Sequence, residues 1–490
     1  MKPSSSTTKQ RTLKGSFRAP ADERRRAKPA CTHATTDGRP LGLFDELFTS
    51  RAMGEVFSDR ACLQGLLDFE AALARAEADV GAIPNGAAEV IASQCRSELF
   101  DVGALAAGAA TAGNLAIPLI RALTDLVAAQ GAAAARSVHW GATSQDAIDT
   151  GLVLQLRAAL DLVDEDLRRL ADVLARLAQQ HRRTMLLGRT WLQAGPPVTL
   201  GLKVAGWLAA IDRQRDRMRE LRARVLVLQF GGAVGTLASL GEQALPIATR
   251  LGQILNLAVP DLPWHSQRDR VAETGATLGL LAGSLGKMAR DLSLLMQSEV
   301  AEVFEPRAPA RGGSSTMPHK RNPVGAAVIL ASATRIPALV STLLSAMPQE
   351  HERGLGGWQA EWQTLPEIAL LTAGALKHAL GVCEGLQVDP DRMGANLAST
   401  LGVVLAEPVA LALARHMDRT AANTILERAS RRAMAEQKPL REILRDEREV
   451  TSRLSAEELD RLCDPGAYLG LAEAWIDRVL ASHSGQRGTE

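Results

Sequence analysis

Between residues 150 and 182 the side chains Leu156, Leu160, Val163, Leu167, Leu170, Leu174 and Leu177 step by 4, 3, 4, 3, 4 and 3. That is a heptad seam sustained over three repeats, and a helix presents it as one stripe. Asp161, Asp164, Arg168 and Arg169 fall off the seam and mark the wet face. A helix of roughly 30 residues is about 45 Å long, well beyond the usual globular helix. A rod of that length needs other rods beside it. The stretches 197–228, 269–299 and 323–347 share its helical composition, which predicts a long-helix bundle. Aromatic residues make up only 3% of the chain and Tyr468 is the sole tyrosine, so the core must be built from Leu, Ala, Val and Ile. That supply favours packed helices over sheets.

Other elements are arranged around the rods. Ser58 and Asp59 open a helix with an apolar face of Leu63, Leu66, Leu67, Ala71 and Leu73, ending near Gly81. A second helical stretch lies in the Ala-rich region 104–130. The Gly/Pro-rich segments 186–197, 230–241, 260–266 and 305–318 read as loops, and strand signals are weak throughout. From about residue 360 shorter helices are expected, with breaks at Asp389-Pro390, Glu407-Pro408 and Asp464-Pro465-Gly466. Residues 1–40 carry ten Lys/Arg against three acids and have no apolar period, so they read as a disordered basic leader. The five cysteines are scattered without C-x-x-C spacing, which fits reduced thiols in a cytoplasm. The longest uncharged run, 102–120, contains Asn114 and Pro118 and is poor material for a membrane span.

Chemistry concentrates in five segments. Residues 312–323 read Gly-Gly-Ser-Ser-Thr-Met-Pro-His-Lys-Arg-Asn-Pro. Two glycines give a pliant loop, and Pro318 suits the first turn of a new helix from which Lys320 and Asn322 would project. A helix start is an anion site, since free N–H groups and the positive dipole end coincide. The bland alternative is a hydroxyl-capped helix after a polar loop. Residues 139–150 read His-Trp-Gly-Ala-Thr-Ser-Gln-Asp-Ala-Ile-Asp-Thr, in which Thr143 and Asp146 fit a capping box at the start of the heptad helix. Residues 188–196 read Gly-Arg-Thr-Trp-Leu-Gln-Ala-Gly-Pro. Residues 264–270 read Trp-His-Ser-Gln-Arg-Asp-Arg, with Ser266 and Asp269 as another capping box. Residues 349–362 bring a His-Glu-Arg cluster at 351–353 that could be a solvated ion-pair face.

The 312–323 loop resembles the signature loop of the fumarase/aspartase superfamily over twelve consecutive positions. The segments 139–150 and 188–196 are similar to that superfamily's first and second signature regions. The stretches 43–48, 57–60, 68–77, 264–270 and 349–362 resemble its bacterial 3-carboxy-cis,cis-muconate cycloisomerase branch, and the resemblance covers about 41–490. It implies an all-α fold in three parts: an N-terminal helical domain at 41–101, a central bundle at 102–352 and a C-terminal helical domain at 353–490. It also implies a homotetramer whose active sites gather the signature regions from different subunits.

The implied reaction interconverts a carboxymuconate and its lactone by intramolecular conjugate addition and elimination, with a fumarate-releasing lyase of the adenylosuccinate lyase type as the alternative. The implied proton carrier is Ser314, with Ser315 beside it, and Lys320 stabilises the alkoxide and the developing dianion. His139 is implied as acid/base or polariser. Thr143, Ser144, Gln145, Arg189, Thr190, Gln193, Met317, Asn322, His265, Arg268 and His351 are implied as substrate-binding. One position departs from the wider pattern: most lyases of the superfamily carry a histidine where this chain has Trp191. An amine or hydroxide leaving group needs a proton from a general acid, whereas an internal carboxylate departs unaided. The other reading makes Trp191 a plain core residue, with the acid supplied by His139.

Competing chemistries find little in the sequence. The nine histidines show no H-E-x-x-H spacing, so no metal is expected. No phosphate-binding G-x-x-x-x-G-K-[ST] loop occurs, and Gly231-Gly232-Ala-Val-Gly235 reads as a helix connection. No cofactor is expected. The scarcity of aromatics argues against a nucleic-acid stacking platform, and no membrane partner is expected.

Overall fold

The computed structural model describes residues 42–307, 317 and 320–487, the side chains of 486 and 487 apart. The basic leader and the loop serines Ser314 and Ser315 lie outside the described residues. Helix α1 (Asp59–Val80) starts where the Ser58 hydroxyl accepts the Ala61 N–H at 3.1 Å, and it ends at Gly81 in the left-handed region, φ 81°. The uncharged run 102–120 is divided by Gly113 (φ 82°) into α2 (Val102–Ala112) and α3 (Ala116–Gln130). The heptad helix is α4 (Ser144–Gln180), 37 residues long. Leu156, Leu160, Val163, Leu167, Leu170 and Leu174 are all at most 3% exposed. Burying each such side chain is worth about 1.5–3 kcal/mol, so the seam alone commits this rod to the interior.

The other rods are α5 (Leu200–Val225), α6 (Asp269–Leu295), α7 (Val324–Ala346) and α8 (Gly357–Glu384). Helix α4 packs against α1, α5 and α8, while α6 lies against α5, α7 and α8. The all-α bundle expected from the sequence is therefore present. Helix α8 differs from expectation, because 28 residues run unbroken where shorter helices were predicted. It continues through Pro366, at the cost of a backbone hydrogen bond, because Leu365, Ile368, Ala369, Leu371 and Leu376 on either side are at most 3% exposed in the core.

The expected loop 186–197 is instead a hairpin of β1 (Met185–Thr190) and β2 (Gln193–Thr199). Trp191 and Leu192 form its two-residue turn with φ of 54° and 64°. Positive φ at both central residues matches the right-handed twist of a hairpin, and a Gly/Pro-rich composition hides that pairing from a periodicity reading. A two-residue antiparallel pair joins β3 (Val303–Phe304) to β4 (Gln387–Val388).

Beyond the bundle a second, smaller core holds Val409, Leu413, Ile425, Leu426, Leu440, Ile443, Leu444 and Val450. The last helix, α9 (Ala472–Arg487), returns to the bundle. There Ile476 is fully buried, and His483 meets Asp212 at 3.0 Å and Asp172 at 3.3 Å. Helix α7 is long and apolar enough to cross a membrane by length and composition, with only 28% of its most apolar stretch buried. In this fold it packs between α6 and α8.

Candidate active site

Among the described residues, hydrogen bonds sort the side chains singled out in the sequence into three groups. The largest sits at the start of α4. Asp146, fully buried, takes the Thr143 N–H at 3.0 Å, as a capping box requires. It also accepts from Gln229 (3.0 Å), the Gly231 and Gly232 N–H groups (3.0 and 2.9 Å) and His265 Nε2 (2.8 Å). The Gly231-Gly232 turn thus does more than join helices: it wraps a carboxylate in backbone donors. Gly231 must be glycine, since a Cβ there would lie 2.7 Å from Pro263 Cβ and 2.8 Å from His265 Cε1.

One turn further on, Asp149 accepts from Arg268 (2.7 and 3.1 Å), Trp358 Nε1 (2.9 Å) and Gln145 (3.1 Å). Arg268 also pairs with Glu361 and stacks 4.8 Å from the Trp264 ring. Burial disfavours charge on this guanidinium, but Asp149 and Glu361 outweigh it and hold its pKa above the ordinary arginine range. Burial raises Glu361, and Arg268 only partly opposes that. Gln145, His265 and Arg268 are all at most 3% exposed. They fasten segments 145–149, 229–232, 264–268 and 358–361 into one frame. Arg268 is also the N-cap of α6, so the expected Ser266–Asp269 capping box does not form.

The open side of this frame carries His139, Thr143 and Ser144. His139 has φ 56° and its Nδ1 lies 2.6 Å from Glu70 Oε1. The Thr143 hydroxyl accepts from Arg353 at 2.9 Å, and Arg353 lies over the Trp358 ring at 5.9 Å. Arg353 is a cation that the sequence reading did not single out, although it lies in the His-Glu-Arg cluster. The signal available was its charge next to an otherwise exposed motif. Its neighbour His351 is exposed, with φ 49°.

The second group is the hairpin. Arg189 makes a two-pronged pair with the buried Glu302 (3.0 and 2.8 Å), which also accepts from Asn396 (2.8 Å). Arg189 thereby anchors the hairpin, and its tip, Thr190 to Gln193, is exposed. Trp191 is 98% exposed, which rules out a core tryptophan: the turn geometry points it outward.

The third group flanks the signature loop. Helix α7 begins at Val324, so exposed Lys320 and half-buried Asn322 precede it instead of projecting from its first turn. Its N-terminus already holds an anion, because Glu305 accepts the Gly325 and Ala326 N–H groups at 3.0 and 2.9 Å. A side chain remote in sequence takes the place that the local pattern assigned to substrate. Arg321 stacks 4.2 Å from the Phe304 ring and donates to the Glu305 carbonyl and to Gln387, both at 2.8 Å. Lys320 closes a turn onto the Met317 carbonyl at 3.0 Å, and Met317 is 41% exposed. Among the described residues no cluster of three or more His, Cys, Asp or Glu side chains could hold a metal ion.

A long-helix bundle with a polar frame at one helix start and a signature loop before another defines a lyase-type protein. Residues 48–338 match the lyase family and residues 402–479 match the adenylosuccinate lyase C-terminus. The chain belongs to this family, within the fumarase/aspartase superfamily. Its similarity extends to 3-carboxy-cis,cis-muconate cycloisomerase of Pseudomonas aeruginosa, 60% identical over 90% of this chain and 96% of that one. The crystal structure of the 3-carboxy-cis,cis-muconate lactonizing enzyme from Pseudomonas putida superposes with a TM-score of 0.87 at 57% identity, covering 91% of this chain and all of that one. A nitrosuccinate lyase of Streptomyces davaonensis is 42% identical over 90% of this chain and 94% of its own length.

Proposed function

We propose that this enzyme interconverts 3-carboxy-cis,cis-muconate and a carboxymuconolactone, in the cytoplasm, as a homotetramer that brings the three groups together from different subunits. The observation that carries the reaction is near full-length similarity to cycloisomerases at 60% identity. Tetramer formation is supported by the poorly buried apolar α7 and by the exposed Trp191 and Leu192 at the hairpin tip.

Each group has a task in this reading. A substrate carboxylate attacks its own diene, and the resulting carbanion is stabilised as an aci-carboxylate. Ser314 delivers or removes the proton at that carbon, and Lys320 and Asn322 neutralise the developing charge. No acid is needed for the departing carboxylate, in keeping with an indole at position 191. Thr143, Ser144 and Arg353 hold a second carboxylate at the start of α4, the end of a helix that favours anions.

The test is to add 3-carboxymuconate, adenylosuccinate or argininosuccinate to the purified protein and follow ultraviolet absorbance. Loss of the diene band with the first compound alone is expected. Fumarate release from either of the others would favour the lyase reading, which the 42% identity to a nitrosuccinate lyase keeps in view. Arg353→Ala is expected to raise KM by about 10- to 100-fold, the usual effect of losing a hydrogen bond to a charged group, with a smaller change in kcat. An unchanged KM would remove Arg353 from the site.

A further inference from the structure

Glu70 lies in the middle of α1, 69 residues from His139, and is 1% exposed. Its Oε1 lies 2.6 Å from His139 Nδ1. A carboxylate only accepts, so Nδ1 carries the proton. Among the described residues His139 Nε2 has no hydrogen-bond partner, and the side chain is 17% exposed. The ring is held at one nitrogen, which leaves the other to donate or accept elsewhere.

The charged surroundings fix which form of the ring is favoured. Two carboxylates act on His139, Glu70 from α1 and Asp146 from α4. Asp146 is already saturated by donors from Gln229, Gly231, Gly232 and His265. Glu77, two turns along α1 and fully buried, is raised to about 9 by burial and then by Glu70, so it is neutral at pH 7 and adds no charge. The Cys95 thiol, raised by burial and then by Glu70, is neutral as well. Arg353 directs its charge at Thr143, Asp146 and Asp149. Burial opposes charge on His139, but Glu70 outweighs it and lifts the imidazole pKa above its ordinary value.

We propose that Glu70 is a positioning residue that holds His139 as an imidazolium, so that Nε2–H serves the site as a fixed donor to a substrate carboxylate and not as a proton-accepting base. This rests on reading the α4 start as a carboxylate site, and it settles the role of His139 within that reading. Proton traffic is then left to the loop serine.

Nitrogen NMR of ¹⁵N-histidine-labelled protein without substrate reads the ring directly, with the His139 signal assigned by its loss in His139→Asn. Both ring nitrogens are expected to be protonated at pH 7.5 in the wild type and in Glu70→Asp, and only one in Glu70→Gln. In turnover, Glu70→Gln is expected to raise KM about 10- to 100-fold at pH 8 and to recover towards pH 6 as the ring regains its proton. The wild-type KM should stay flat over that range. A neutral His139 in the wild type at pH 7.5, or a Glu70→Gln enzyme whose KM keeps the wild-type pH profile, would overturn the proposal. If Glu70→Gln does not fold, the wild-type and Glu70→Asp spectra decide alone. The spectra involve no substrate, so an imidazolium in a protein that ignores 3-carboxymuconate would sink the functional reading and leave this one standing.

Discussion

Ser314→Ala is expected to lower turnover by about 10²–10⁴-fold, the usual cost of removing a group that transfers a proton in the transition state, with KM changed by only a few fold. The split between the two constants is the informative part. In the proposed reading substrate carboxylates are held by Thr143, Ser144 and Arg353 at α4 and by Lys320 and Asn322 before α7, and none of these is touched by the substitution. In that proposal the hydroxyl acts on the bond to carbon, which changes only as the reaction proceeds, so its loss belongs in kcat. Stopped-flow decay of the diene band, with titration of bound substrate under non-turnover conditions, measures both. A variant that keeps wild-type kcat would move the proton to another group. Ser315→Ala is expected to do less, as a neighbour of the reacting hydroxyl.

Arg268→Met is expected to cost about 3–5 kcal/mol of folding stability, because it leaves buried charges without their partner. That is a large share of the 5–15 kcal/mol typical of a folded protein. Asp149 and Glu361 are each 1% exposed and share this one guanidinium. Removing it leaves two carboxylates facing each other in the interior. The triple variant Arg268→Met, Asp149→Asn, Glu361→Gln should recover much of the loss, since no uncompensated charge remains. Urea unfolding of the three proteins checks this. A loss below about 1 kcal/mol in the single variant would place the network in the class of exposed ion pairs, contrary to its burial. The same measurement separates the frame from the chemistry: Arg268 variants should lose stability first and activity with it, whereas Ser314→Ala should lose activity alone.

Some of this molecule could be read directly from the chain. The caps at Ser58 and Gly81, the Thr143–Asp146 pair and the buried seam of α4 all depend on residues within one or two turns of each other. The three signature segments were legible as motifs, and so was the family. Other features were misread because their partners are distant. A helix start before Lys320 looked open to substrate, yet Glu305 closes the start of α7 from 20 and 21 residues away. Gln145, His265 and Arg268 carry the right chemistry for a site, and burial puts them to use holding it up. Trp191 looked like either core or chemistry, and a turn with positive φ set it in the open.

The sequence by itself determined the rods, their caps and the set of reactive side chains, because helix periodicity and capping are settled over a few neighbouring residues. Only the tertiary structure decided which of those side chains face outward and which are consumed as partners. Asp146 meets His265 across 119 residues and Arg353 meets Thr143 across 210. Those pairings follow from how the bundle packs, and the cost of burying a charge then forces each to be matched once the packing has brought it there.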